Sequence, residues 1–366
     1  MPDTTTLPPP SAMLSQPETM RANERALADD IANERTALTA TPVNIQLEIT
    51  NDCNLACPTC ARNYWDAALN PVGHLPVEHV ERLRPFLERA ARVTTFGYGE
   101  SMLSPVFPQI LERVRSINPH ANLTLFSNGV SLNEARAQAL FDYKVDRLFF
   151  SIDAADAAQF RALRTASLER FRRNIALVRA LRDARGLNHP VLSGSFTATR
   201  MNIDQLIPVV RFCAEAGMVS LVVIIARVFE VSQRSDSLYA SAEDQALADR
   251  TIAEAKALGA QLGVEVNAAV DPAAKPRLSC TQPFDTLFVK WNGDVRLCCA
   301  SAIFTRKPIY ISVGNLNDGP LEELWNSTYA RQVRQGFYDP AQMNPICRSC
   351  PFHTMTLDTL SKYEAM

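Results

Sequence analysis

The chain has 366 residues, a length that predicts two or three domains. Hydrophobic residues make up 47% and charged residues 21%, which excludes a disordered chain or a small disulfide scaffold. The 37 Lys and Arg nearly balance the 39 Asp and Glu, for a net charge of −2, so no broad nucleic-acid-binding face is expected.

Residues 1–15 are polar, carry Pro8-Pro9-Pro10 and are expected to be a disordered tail. Residues 17–38 read as a helix, with Met20, Leu27, Ile31 and Leu38 on one face. From Val43 onward, strand patterns alternate with helix patterns. Strands are expected at 45–50, 93–96, 123–126, 145–152, 191–199 and 219–225. The helices between them are expected at 76–90, 105–117, from 131, from the end of the fourth strand to about 182, and at 203–216. This order argues for a parallel α/β sheet with right-handed crossovers, whose ligands bind at the carboxyl ends of the strands. Cys53, Glu100, Asn128 and Asp153 all fall at those ends. One more helix is expected at 242–262, and the Pro/Ala-rich stretch 268–276 is the expected domain boundary. Beyond it, 286–291 and 294–297 read as a hairpin around Asn292-Gly293, and 321–335 as a helix.

The longest clean apolar run, residues 221–226, is far short of the ~20 residues that span a membrane. The opening MPDTTTLPPPSAML has neither the basic nor the apolar region of a secretory signal, so a cytoplasmic protein with no membrane partner is expected. Nine cysteines stand at 53, 57, 60, 213, 280, 298, 299, 347 and 350, eight of them in two groups. In a reducing compartment such groups bind metal more often than they form disulfides. Cys53-Asn-Leu-Ala-Cys57-Pro-Thr-Cys60 places three thiols just after the first strand, enough to wrap one face of a metal cluster but not to close a four-thiolate site. A [4Fe–4S] cluster held this way keeps one iron open to another ligand. The other readings are a zinc site with a distant fourth ligand, or plain reduced cysteines.

The C-x-x-x-C-x-x-C loop after a first strand resembles that of the radical S-adenosylmethionine (SAM) enzymes, over roughly residues 43–230. The resemblance implies a partial (β/α)6 barrel at 43–267, preceded by a tail and helix at 1–42. Cys53, Cys57 and Cys60 would hold a SAM-binding [4Fe–4S] cluster. Gly97-Tyr98-Gly99-Glu100 is similar to the family's Gly-Gly-Glu motif, which meets the SAM amino group. Ser127-Asn128-Gly129 stands where the family often has Thr-Asn-Gly. Ser151 and Asp153 are placed to reach the SAM ribose, and Arg200 to pair with the SAM carboxylate. Thr59 occupies the position before the last cysteine, where the family usually has an aromatic residue against adenine. An electron from the cluster would cleave SAM to a 5′-deoxyadenosyl radical that takes a hydrogen atom from the substrate. A reductase or flavodoxin-type protein is the implied electron donor.

Cys280, the segment Trp291-Asn-Gly-Asp-Val-Arg-Leu-Cys298-Cys299, and Cys347-Arg-Ser-Cys350 resemble the auxiliary-cluster region of SPASM or twitch members, here expected as a small α+β domain at 268–366. The implied ligands of a second, closed [4Fe–4S] cluster are Cys280, Cys298, Cys347 and Cys350; a four-cysteine zinc ribbon is the other reading. Cys213 is expected in the core, and Cys299 as a buried thiol, an alternative ligand or a hydrogen donor. A twitch-type chain resembles the aminocyclitol dehydrogenase of butirosin biosynthesis. The main expectation is therefore oxidation of a small polar molecule, with the second cluster as electron acceptor. The alternatives are modification of a ribosomally made peptide, sugar epimerisation with a cysteine as hydrogen donor, and a non-catalytic redox sensor.

Overall fold

The computed structural model describes residues 16–65, 67, 68, 70–226, 231–238, 240–268, 280–298 and 312–348. Six parallel strands carry the α/β core, a partial barrel: β1 (Asn44–Leu47), β2 (Arg92–Thr95), β3 (Asn122–Ser127), β4 (Arg147–Ser151), β5 (Val191–Ala198) and β6 (Ser220–Ile225). A seventh, β7 (Glu265–Ala268), extends it beyond β6, and β8 (Thr286–Val289) joins the other side of β1, also in parallel. β9 (Asp294–Arg296) and β10 (Ser312–Asn315) continue antiparallel, so among the described residues the order is β10-β9-β8-β1-β2-β3-β4-β5-β6-β7.

The strands alternate sharply. Ile45, Leu47, Val93, Leu123, Leu125, Leu148, Phe150, Leu192, Phe196 and Leu221 are fully buried in one core beneath the helices. Positions between them, such as Gln46, Thr94 and Thr124, turn to the opposite face by the two-residue period. The first helix, α1 (Glu18–Ala32), buries Met20 and Leu27 as expected, but also Asn23 and Asp30. Asn23 Oδ1 accepts from Thr41 N at 2.9 Å, and Asp30 accepts from Thr39 N and Ala40 N, so polar side chains replace apolar ones where the chain turns into β1.

Several expected helices are divided. The helix at 76–90 is α2 (Val77–Arg82) and α3 (Arg84–Leu87), broken at Leu83 because Pro85 has no N–H to continue the ladder. α4 (Phe107–Ile117) presents Phe107, Ile110, Leu111 and Val114 to the core, and α5 (Glu134–Asp142) follows β3. The long helix after β4 is α6 (Ala157–Arg164) and α7 (Leu168–Ala184), separated at Thr165, whose φ of 51° is left-handed, and restarted by Ser167 as N-cap. α8 (Leu206–Glu215) and α9 (Ala242–Leu262) complete the layer. No described helix is long and apolar enough to cross a membrane.

The boundary expected at 268–276 lies almost wholly outside the described residues, but the sheet runs across it. The expected hairpin is present as β8 and β9, turning at Gly293 with φ 83°. After α10 (Gln282–Asp285) and these strands, the helix at 321–335 is α11 (Leu321–Trp325) and α12 (Thr328–Tyr338), divided at Asn326 and capped by Ser327. Arg334 of α12 is wholly buried. It donates to Pro283 O at 2.8 Å, Thr36 O at 3.0 Å and Trp325 O at 2.9 Å, and lies 4.3 Å over the Trp325 ring. Burial pushes its pKa down to about 9. Arg334→Met takes this shared donor from the three carbonyls and should cost about 1–3 kcal/mol, read as a lower urea midpoint with an unchanged slope.

Candidate functional site

The carboxyl ends of β1 to β4 bring the sequence motifs together. β1 runs on into Thr50, Asn51 and Asp52, which are fixed from outside the loop. Thr50 Oγ1 donates to Gly73 O at 2.8 Å, Asn51 Oδ1 accepts from Gly73 N at 2.8 Å, and Asp52 O accepts from Glu100 N at 2.7 Å. Cys53, Cys57 and Cys60 follow, all half-buried and free; Cys60 N closes a turn on Cys57 O at 2.9 Å, and Thr59 lies inside that turn. Ala56 N donates to Thr165 Oγ1 at 3.1 Å, so the break between α6 and α7 supports the loop.

Glu100 is 2% exposed. Its carboxylate accepts from Asn128 N at 2.7 Å and from Ser127 Oγ at 3.0 Å, tying the end of β3 to the end of β2. Burial pushes this carboxyl up, and those donors pull it back. Gly99 has no room for a side chain, since a Cβ would stand 2.1 Å from Thr50 O. Asn128 Nδ2 reaches Cys53 Sγ at 3.7 Å and Asn54 Oδ1 at 2.9 Å, which connects the third strand to the cysteine loop. The Tyr98 ring stands edge-on to Trp65 at 5.6 Å.

Asp153, buried, accepts from Thr197 N at 2.8 Å and meets Arg164 Nη1 at 3.0 Å. Arg164 and Arg62 are cations at the cysteine loop. Burial opposes the charge of Arg164, yet Asp153, Cys57 and Cys53 together raise its pKa, and its Nε is buried with no hydrogen-bond partner. Burial pushes the Cys57 and Cys60 thiols up; Arg164 opposes the shift at Cys57, and Arg62, ahead of Arg164, opposes it at Cys60. Ser151 ends β4 half-buried. Arg200 is not brought to the others: its side chain is half exposed and its Nε meets Asp244 of α9 at 3.1 Å. The sequence reading missed Arg164, because nothing in its local pattern separates it from the chain's other arginines.

Beneath the site lies an aromatic row. Phe96, Phe126 and Phe149 each stand two residues before Tyr98, Asn128 and Ser151, and so share their face. Ring centroids are 5.4 Å apart between Phe96 and Phe126 and 4.6 Å between Phe126 and Phe149.

Of the second cysteine group, Cys280 and Cys298 are half-buried, and Cys347 is buried at 7% exposure in a short helix, Pro345–Arg348. Cys299 and Cys350 lie outside the described residues. Cys213 is in the core as expected, its thiol pushed up to about 12 by burial. Among the described residues, no three His, Cys, Asp or Glu side chains are grouped to hold one metal ion. Thiols that embrace a four-iron cluster stand farther apart than ligands that share a single ion.

Residues 47–213 match the family model described as the Radical SAM superfamily, and residues 280–351 match SPASM, an iron–sulfur cluster-binding domain. A PqqA peptide cyclase of Xanthomonas campestris is 26% identical over 325 residues, covering 85% of this chain and 79% of the relative. The crystal structure of Streptococcus suis SuiB bound to precursor peptide SuiA superimposes with a TM-score of 0.63 at 13% identity, covering 86% of this chain and 71% of that one. Native anSMEcpe with bound AdoMet and the Cp18Cys peptide gives a TM-score of 0.59 at 16% identity, covering 88% of each chain. Gly99→Ala should push the backbone at Thr50 and Asp52 away and loosen the cysteine loop. Iron analysis after anaerobic reconstitution should then fall below wild type, and unchanged iron would show that the close approach is dispensable.

Proposed function

We propose, from the premise that this chain belongs to the radical SAM superfamily and carries an iron–sulfur SPASM domain, that it uses SAM-derived radical chemistry to modify a peptide. The observation that carries the radical SAM site is the meeting of the three-cysteine loop with Glu100 and Asn128 at the ends of parallel strands and with Arg164 at the end of α6. Cys53, Cys57 and Cys60 would hold a [4Fe–4S] cluster, and Cys280, Cys298, Cys347 and Cys350 a second. When bound, the first cluster and SAM supply one electron and a 5′-deoxyadenosyl radical.

The orphaned Arg164 Nε beside Cys57 fits an anionic cluster there, and Arg164 is better placed than Arg200 to face the carboxylate of SAM. A carboxylate has about four lone-pair sites. Glu100 uses three, on Asn128 N, Ser127 Oγ and, at 3.5 Å, Met102 N, which leaves one for the SAM amino group. Asp153 is committed to Arg164 and Thr197, so the ribose contact falls to Ser151. Phe96, Phe126 and Phe149 keep the floor of the site apolar and help exclude water.

For the substrate, the PqqA peptide cyclase relative favours a peptide over the small polar molecule. The proposal also needs a reducing compartment, the cytoplasm.

Reconstituted protein should hold about eight irons per chain, and Cys53, Cys57 and Cys60 changed together to Ala should leave about four. Native protein with stoichiometric zinc in place of iron would overturn the cluster assignment. The substrate class is tested by anaerobic turnover with dithionite, SAM and a synthetic peptide library, set against sugars and aminocyclitols. Peptide-dependent 5′-deoxyadenosine together with a peptide mass change is expected. Stimulation by the small molecules alone would return the reading to a dehydrogenase.

A further inference from the structure

We propose that Lys290 and Trp291, which follow β8 in the C-terminal part of the chain, are positioning residues for segment 97–100 and for the Cys53 loop, acting through Glu48 and Gly73. The inference rests on the reading of those two segments as the SAM and cluster site. It differs from that reading in assigning part of the site's geometry to a hairpin far from it in sequence.

The first contact runs under the turn at 97–100. β1 and β8 pair in parallel with Leu47 opposite Val289, and Glu48 N donates to Val289 O at 2.9 Å. Glu48 and Lys290 are the next residue of each strand, so they stand side by side on the face shared with Gln46 and Phe288. Both are buried, Glu48 at 1% exposure and Lys290 at 8%. Glu48 Oε1 accepts from Tyr98 N at 3.1 Å, and the backbone N–H of Trp291 also acts on the buried carboxylate to favour its charge. Gly97 rests on this side chain, and a Cβ there would stand 2.4 Å from Glu48 Cγ. The Glu48 carboxylate therefore fills the underside of the turn, and Lys290, ahead of the buried Arg296, is the charge that most compensates it. A buried carboxylate without its cation is expelled or protonated, and its bond to Tyr98 N weakens with it.

The second contact runs under the cysteine loop. The Trp291 ring packs against Gly73, where a Cβ would meet Cε3 at 2.1 Å. Gly73 in turn holds Thr50 Oγ1, Asn51 Oδ1 and, at 3.4 Å, Asn51 N. Asp52 O, the next residue, receives Glu100 N. Two adjacent hairpin residues thus support the turn and the loop from below, and these meet at the Asp52–Glu100 bond.

The test uses reconstituted wild type, Lys290→Met, Lys290→Arg, Glu48→Gln and the Glu48→Gln/Lys290→Met double variant. SAM affinity is measured on the oxidised protein by equilibrium dialysis with radiolabelled SAM. The second readout is the change that SAM causes in the electron paramagnetic resonance spectrum of the reduced cluster. Lys290→Met and Glu48→Gln should each weaken SAM binding about tenfold at unchanged iron content and shrink the spectral change. Lys290→Arg should restore most of the loss, and the double variant should be no worse than either single one, because the two charges act as one pair. Wild-type affinity and spectrum in Lys290→Met, or losses that add in the double variant, would overturn the inference and leave the SAM site standing. A wild-type cluster blind to SAM would remove the reading of segment 97–100 and this inference with it. Glu48→Gln is nearly isosteric and carries the test should Lys290→Met fail to fold.

Discussion

Strand β1 is the constraint on which the rest depends. It is hydrogen-bonded in parallel on both sides, to β2 from the next segment of the chain and to β8 from nearly 250 residues later. Parallel pairing aligns carboxyl ends. The cysteine loop after β1, the glycine-rich turn after β2 and the Lys290–Trp291 pair after β8 must therefore emerge at one rim. β3 and β4 bring Asn128 and Asp153 to the same rim by the same rule. No single helix or loop could gather groups so far apart in sequence.

Burial then decides what each polar group does. Glu48, Glu100 and Asp153 are carboxylates almost without solvent, and each has a different set of partners: the Tyr98 amide with the Lys290 charge beside it, two amides and a hydroxyl, and an arginine with one amide. In low dielectric these bonds are worth more than at the surface, and their loss costs more. The rim's charges have internal partners, which suits a site that is to hold a reactive group in one geometry.

Much of this was legible in the sequence. The alternation of strands and helices is strong because core-facing residues such as Ile45, Leu47, Leu123 and Leu125 fall at a strict period of two. The cysteine spacing and the strand-end motifs lie within short windows, so local pattern is enough to find them. Helix breaks were harder. Pro85 could have signalled one, but Thr165 takes a left-handed backbone that no residue-type rule assigns to threonine. Arg164, Lys290 and Glu48 owe their places to tertiary register. Arg200 stood out in the sequence by its place after the fifth strand, yet it turns to Asp244. The pairing of β8 with β1 escaped for the same reason, since a four-residue apolar strand carries no address for its partner.

That pairing also bears on how the molecule is to be divided. A fragment ending near residue 267 keeps the six strands and looks, by sequence, like a self-sufficient barrel. It would leave one side of β1 bare, with the amides and carbonyls that now meet β8 facing water, in a strand whose residues Ile45 and Leu47 are wholly apolar. An uncovered parallel edge of that kind is a template for another chain. The C-terminal segment is thus the cover of an otherwise adhesive margin, and a fragment without it is more prone to self-association than the intact chain.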